Sequence, residues 1–181
     1  MLRKVLHPLH ISAGSGAPAV VQCYIECPRG SRVKYELDKE SGLLMVDRVL
    51  SSAVHYPAHY GFIPSTHADD GDPVDILVIM SEPMVPGCLI TGRVLGVLGM
   101  VDGGEGDDKV VAVANDDPHL ANVQQLSDLP QLTLEAIRVF FKDYKALEKK
   151  VVQVDDHFGD KATACALIER CMRTYQEKFQ N

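Results

Sequence analysis

Asp69-Asp70-Gly71-Asp72-Pro73-Val74-Asp75 runs straight into Ile76-Leu77-Val78-Ile79-Met80, so four carboxylates within seven residues open an apolar strand. Asp, Gly and Pro build ordinary exposed turns, and a polar turn alone accounts for the composition. Crowding like charges against a buried strand is nevertheless unfavourable unless cations or hydrogen-bond donors offset the repulsion. Hard oxygen donors, with no cysteine and no helical histidine pair among them, suit magnesium or manganese better than zinc. A calcium EF-hand does not fit: counted from Asp70, the places that loop needs for its third Asp-type ligand, its Gly and its Glu fall on Val74, Asp75 and Ser81.

Outward from this stretch, short alternating or β-branched runs predict strands over 19–27, 33–38, 43–49, 74–80, 88–101 and 109–114. Turn clusters separate them at Pro28–Ser31, Ser41-Gly42, Ser51–Pro73 and Asp102–Asp108. Such spacing favours a small antiparallel or mixed barrel. The period then changes. Leu134, Ile137, Phe140, Phe141, Tyr144 and Leu147 recur as one helical face, predicting a helix near 131–148. A second helix is expected after Gly159, N-capped by Asp160, with Ala164, Leu167, Ile168, Cys171, Met172 and Tyr175 as its apolar stripe. The class is α+β.

The length of 181 residues suits one domain over 1–181, with 1–18 as an N-terminal extension. With 46% apolar and 24% charged residues the chain has globular composition. Its longest apolar run, Val94–Val101 with two glycines, falls far short of the roughly 18 residues that a membrane helix needs. A net charge of −7 opposes attraction to nucleic acid or anionic lipid. Arg3 and Lys4 precede no apolar segment free of His and Pro, which excludes a secretory signal. Cys23, Cys27, Cys88, Cys165 and Cys171 are scattered and odd in number, as expected of reduced thiols in a cytoplasmic protein, with Cys23 and Cys27 as core fillers.

A second acidic cluster, Asp102-Gly103-Gly104-Glu105-Gly106-Asp107-Asp108-Lys109, sits between two expected strands, where it can face the first across a barrel mouth. Taken alone it is a glycine-rich hairpin loop. Lys34 and Glu36 share one strand face, Arg48 ends another strand, and Tyr144 and Lys145 fall late on the first helix. Singly these are a solvated face and a rim tyrosine beside a snorkelling lysine. Together, acids that hold metals and Lys, Arg and Tyr donors that hold oxyanions describe a site for a metal–phosphate substrate. His55 and His59 are four apart, but Pro57 breaks a helix between them, which argues against a zinc pair.

These residues resemble the soluble family I inorganic pyrophosphatases of bacterial type. The signature is DGDPVD at Asp70–Asp75, preceded in order by Glu26–Pro28, KYELDKESG at Lys34–Gly42, Asp47-Arg48 and YPAHYGFIP at Tyr56–Pro64. Gly96–Asp102, Asp107-x-Lys109, Asp128–Pro130 and FFKDYKALE at Phe140–Glu148 follow, so the likeness spans roughly residues 20 to 150. It implies an OB-like five-stranded β-barrel with flanking α-helices that hydrolyses pyrophosphate to two orthophosphates with several magnesium ions per subunit, manganese being a substitute. It also implies a cytoplasmic homohexamer without nucleic-acid or membrane partners.

By the same resemblance Asp70, Asp75 and Asp107 hold two activating metals, and Asp72 is the general base toward the attacking water. Asp102 and Asp107 match ligands of a substrate-borne metal, and Glu26 and Glu36 are outer acids. Lys34, Arg48, Tyr144 and Lys145 bind phosphate oxygens, while Tyr56, Tyr60 and Lys109 orient carboxylates or phosphate. Two departures stand out. Gly103 occupies the place where the family commonly has Glu, so either Glu105 reaches that space or a water does. Lys149-Lys150-Val151 lacks the tryptophan often found after the helix. Two rival readings are a noncatalytic OB-type oligonucleotide-binding module, disfavoured by the charge and by 6% aromatics without Trp, and a hydrolase of nucleoside polyphosphates.

Overall fold

The computed structural model describes residues 7–148 and 151–179; Arg3, Lys4 and the Lys149-Lys150 pair lie outside the described residues. Nine strands and two α-helices follow in the order β1 (Val20–Cys27), β2 (Val33–Leu37), β3 (Leu44–Val49), β4 (His59–Phe62), β5 (Asp75–Ile79), β6 (Leu89–Asp102), β7 (Glu105–Gly106), β8 (Lys109–Ala114), α1 (Gln131–Asp143), β9 (Val152–Gly159) and α2 (Lys161–Phe179). Short 3-10 turns occupy Pro8–His10, Pro118–Leu120, Leu126–Asp128 and Ala146–Glu148.

The expected five-stranded barrel is present as a closed ring. β1 pairs with β4, β4 with β5, β5 with β8, β8 with β6, and β6 returns to β1; all pairings are antiparallel except β5–β8, which is parallel. Closure removes the open edges that would otherwise template aggregation. β6 runs for 14 residues and outlasts its ring partners, so its far end also carries β7 and β9. β2 and β3 form a separate hairpin beside the ring.

The ring is covered on both faces, which explains why β5 reads as a continuous apolar run rather than an alternation. Ile76 and Val78 pack with Val110 and Ala112 against Ala164, Ile168 and Cys171 of α2. Leu77 and Val111 turn the other way, toward Ile137, Phe140 and Phe141 of α1. Cys23 and Cys27 are fully buried, as core fillers should be, and burial pushes both thiols up to about 12. α2 begins as expected, with Asp160 Oδ1 accepting from the Thr163 backbone N–H at 2.8 Å. Among the described residues no helix is long and apolar enough to cross a membrane.

Three expectations about the elements need correction. The segment Ser51–Pro73, read as a turn cluster, contains β4, whose four residues are all buried. The first helix stops at Asp143, with Tyr144 as its C-cap, and Leu147 is exposed rather than part of the apolar face. β9 was not expected at all: Val152 and Val154 are half-buried between exposed Gln153 and Asp155, a weak alternation.

Candidate active site

The acidic turn takes its shape from its own backbone. Gly71 has φ +87°, a left-handed conformation that glycine adopts without strain, and the Ala68 N–H donates to the Asp72 carbonyl at 2.7 Å. Asp70 Oδ1 accepts the Asp72 backbone N–H at 3.0 Å, which fixes the two carboxylates relative to each other. Asp75 is the first residue of β5, and the parallel register sets it beside Lys109 at the start of β8.

Lys109 is 1% exposed, and its ammonium donates to Asp75 Oδ2 at 2.5 Å and to Asp107 Oδ1. Burial opposes that charge, but the two carboxylates outweigh it and hold the ammonium above its ordinary pKa. Burial lifts Asp107 to about 6, against the pull of Lys109. Tyr60 completes the arrangement by donating its hydroxyl to Asp75 Oδ2 at 2.5 Å. Its ring stacks on Tyr56 at 5.3 Å, which in turn packs on Phe140 at 4.8 Å, so α1 props the phenols from behind.

Glu26, near the end of β1, is 7% exposed and accepts the Leu37 backbone N–H at 2.7 Å. Desolvation pushes this carboxyl up to about 8. On the β2–β3 hairpin Lys34 and Arg48 are cross-strand partners. Lys34 Nζ reaches Glu36 at 2.9 Å and Asp47 at 3.1 Å, and Arg48 reaches Asp47 at 2.6 Å and Glu148 at 3.2 Å. Past the end of α1, Lys145 pairs with Asp102 and lies 5.0 Å from the Tyr144 ring centre. Lys39 pairs with Asp72.

These groups converge on one cleft of about 270 Å³. Every residue that the resemblance gave a site role lines it except Lys109, which lies beneath and ties Asp75 to Asp107. The two acidic clusters do face a common space, since Asp70, Asp72, Asp75, Asp102, Glu105 and Asp107 all reach it. Sequence reasoning gave no role to Lys39, Asp47 or Glu148. All three stand in quoted motifs: Lys39 lies just outside the strand alternation, Asp47 is adjacent to Arg48, and Glu148 closes FFKDYKALE in a 3-10 turn beyond the helical period. His59 is fully buried, with Nδ1 accepting from the Arg29 backbone N–H at 3.2 Å and Nε2 at 3.2 Å from the Glu82 carbonyl. Both ring nitrogens are therefore spent, and no zinc pair with His55 forms.

Eight carboxyl groups line the cleft against four cationic side chains, with Lys109 a fifth from below. Among the described residues no three His, Cys, Asp or Glu side chains close into a ready cage; the acids are spread along the wall and held by lysines. An excess of hard oxygen donors fits divalent cations of the magnesium type. The nearby ammonium, guanidinium and phenol groups fit phosphate oxygens.

Comparison with known proteins agrees with this chemistry. The sequence model of the inorganic pyrophosphatase family matches residues 23–176. A soluble inorganic pyrophosphatase of rice, Oryza sativa subsp. indica, is 52% identical over 151 residues, which is 83% of this chain and 71% of that one. Soluble inorganic pyrophosphatase 2 of Chlamydomonas reinhardtii is 48% identical over 96% of this chain and 90% of its own length. The crystal structure of inorganic pyrophosphatase from Thermus thermophilus superposes with a TM-score of 0.91 at 41% identity, covering 94% of this chain and 99% of that chain.

Proposed function

The chain belongs to the soluble family I inorganic pyrophosphatases, and from that premise we propose that its cleft hydrolyses pyrophosphate to two orthophosphates with magnesium, by direct attack of water and without a covalent intermediate. The observation that carries the reading is the single cleft in which Asp70, Asp72, Asp75, Asp102 and Asp107 meet Lys34, Arg48, Tyr144 and Lys145.

Asp70, Asp75 and Asp107 are the side chains to hold the activating divalent ions. Asp102, with Asp107, takes the ion that accompanies substrate, and Glu26 and Glu36 act as outer acids. When bound, the ions supply positive charge against the pyrophosphate and make water more acidic. Asp72 receives the proton of the attacking water at its carboxylate, and Lys39, its partner at rest, holds that carboxylate in place until then. Lys34, Arg48 and Lys145 exchange their carboxylate partners for phosphate oxygens, the Tyr144 hydroxyl donates to the same oxygens, and together they offset charge on the attacked and departing groups. Lys109 and Tyr60 hold Asp75 at a fixed angle from behind.

Phosphate release from pyrophosphate, with magnesium and then with chelator, tests the reading. Asp72→Asn run in parallel is expected to lose about 10²–10⁴-fold of the rate, the range for removing a proton acceptor. Pyrophosphate is expected to be cleaved in preference to ATP, and equal rates on both would point to a nucleoside polyphosphate hydrolase instead. A cytoplasmic homohexamer belongs to the same proposal. Exposed Leu43, Val46 and Val49 about the hairpin suit coverage by other subunits, and light scattering reads the assembled mass.

A further inference from the structure

Two walls of different origin face each other across the cleft. Asp70, Asp72, Asp75 and Asp107 come from the acidic turn and the ends of ring strands, whereas Lys34, Glu36, Lys39 and Arg48 come from the β2–β3 hairpin and its turn. A two-stranded hairpin is at best marginally stable alone, so the distance between the walls depends on what packs against it. The Leu37 N–H ties it to Glu26 of β1, and its turn meets the segment His7–Ile11.

That segment is a short 3-10 turn capped by His7, whose Nδ1 accepts the Leu9 N–H at 3.3 Å. The His7 ring lies on Gly42 in the hairpin turn, where a Cβ would come within 2.9 Å of the ring Cδ2. Leu9 packs on the cluster of Tyr24, Leu37 and Phe62, and it also lines the cleft. The opposite wall is gripped through Ser65, which donates its N–H to the Leu9 carbonyl at 3.0 Å and its hydroxyl to the Ile11 carbonyl at 2.7 Å. Ser65 has φ +55°, a conformation that a serine keeps only where its surroundings impose it. Its neighbour Thr66 accepts the Val74 N–H at Oγ1, 2.9 Å away, across the base of the acidic turn. A third anchor lies on α2, where the Tyr175 hydroxyl is 2.5 Å from His10 Nδ1. All of this precedes residue 23, where the match to the family begins.

We propose that His7–Ile11 is a strap that sets the phosphate-binding hairpin against the acidic turn, with Leu9 as its positioning residue. This rests on the pyrophosphatase reading. Anchors on three elements fix a distance that the hairpin alone leaves open, and with it the reach of Lys34 and Arg48 toward phosphate oxygens. Asp70, Asp75 and Asp107 keep their own supports in the Asp72 N–H and Lys109. Loosening the strap therefore weakens capture of substrate and leaves the acids that hold ions in place.

The test measures KM and kcat for phosphate release from pyrophosphate with magnesium, and Mn²⁺ affinity without substrate by electron paramagnetic resonance, on the full chain. Leu9→Ala is expected to raise KM about tenfold, below the roughly 100-fold that a misplacement of about 1 Å can cost. Its kcat is expected to fall by a smaller factor, and its Mn²⁺ affinity to match the unsubstituted chain. Leu9→Met, which keeps the volume, is expected to recover most of the KM. Tyr175→Phe, which severs only the anchor on α2, is expected to raise KM by a smaller factor than Leu9→Ala, and it carries the test alone where Leu9→Ala does not fold. Unchanged KM in the folded variants overturns the assignment whatever happens to kcat. So does an Mn²⁺ affinity that falls in step with KM, which marks loss of the whole cleft rather than of one wall. Absence of phosphate release by the unsubstituted chain defeats the pyrophosphatase reading itself, whereas normal release with unchanged KM in the variants defeats only the strap.

Discussion

Lys109 keeps a charge in the interior only because Asp75 and Asp107 face it. Removing one partner from such a group leaves uncompensated charge and typically costs about 3–5 kcal/mol. Lys109→Met is expected to lose stability on that scale in urea denaturation, with part of the loss recovered when divalent ions are added to offset the two stranded acids. His59 titrates in the opposite sense. Burial holds its imidazole below the ordinary value of 6.5, so the unfolded chain takes up a proton first as the pH falls. The stability this neutral histidine contributes is present above 6.5 and is lost as pH falls through its lower folded value; a proton NMR titration is expected to place its midpoint below 6.5. At this scale the sequence was informative where chemistry leaves a mark on composition, as in the run of acids at Asp69–Asp75. It was silent where a role depends on what folds alongside, as for Lys39, whose pairing with Asp72 joins a hairpin to a distant turn.

Among the elements, β4 crosses β1 so closely that a Cβ on Gly61 would sit 1.8 Å from the Tyr24 carbonyl oxygen. Backbone cannot yield as a flexible side chain does, and Gly61→Ala is expected to cost upward of about 3 kcal/mol, the top of the usual range for overpacking, measured by urea denaturation. The same four residues explain why β4 escaped sequence reading. His59-Tyr60-Gly61-Phe62 is buried on both faces and contains a glycine, so it offers neither alternation nor β-branched residues. β9 failed for the opposite reason: it lies outside the ring, pairs only with the far end of β6 among the described residues, and has no fully buried side chain. β5 and β8 were legible because two covered faces demand unbroken Ile, Leu and Val, and α2 because one covered face imposes a clean helical period.

For the whole molecule, a net charge of −7 with eight acids gathered about one cleft stores repulsion that divalent ions relieve on binding the folded form. An ion present at a hundred times its Kd is worth about 2.7 kcal/mol of stability. Magnesium is therefore expected to raise the thermal midpoint by several degrees, and chelator to reverse the rise, as read by calorimetry. The same ring that gathers the acids also has a history in time. β1 finds one neighbour in β4 but its other only in β6, and the gap between β5 and β6 is filled by β8, ending at Ala114. On the ribosome, then, β1 waits with an open edge while the middle of the chain is still being made. A message or nascent chain cut short before Ala114 yields a set of apolar strands that cannot close, prone to pair with copies of themselves, and late ring closure makes refolding a matter of milliseconds to seconds rather than microseconds.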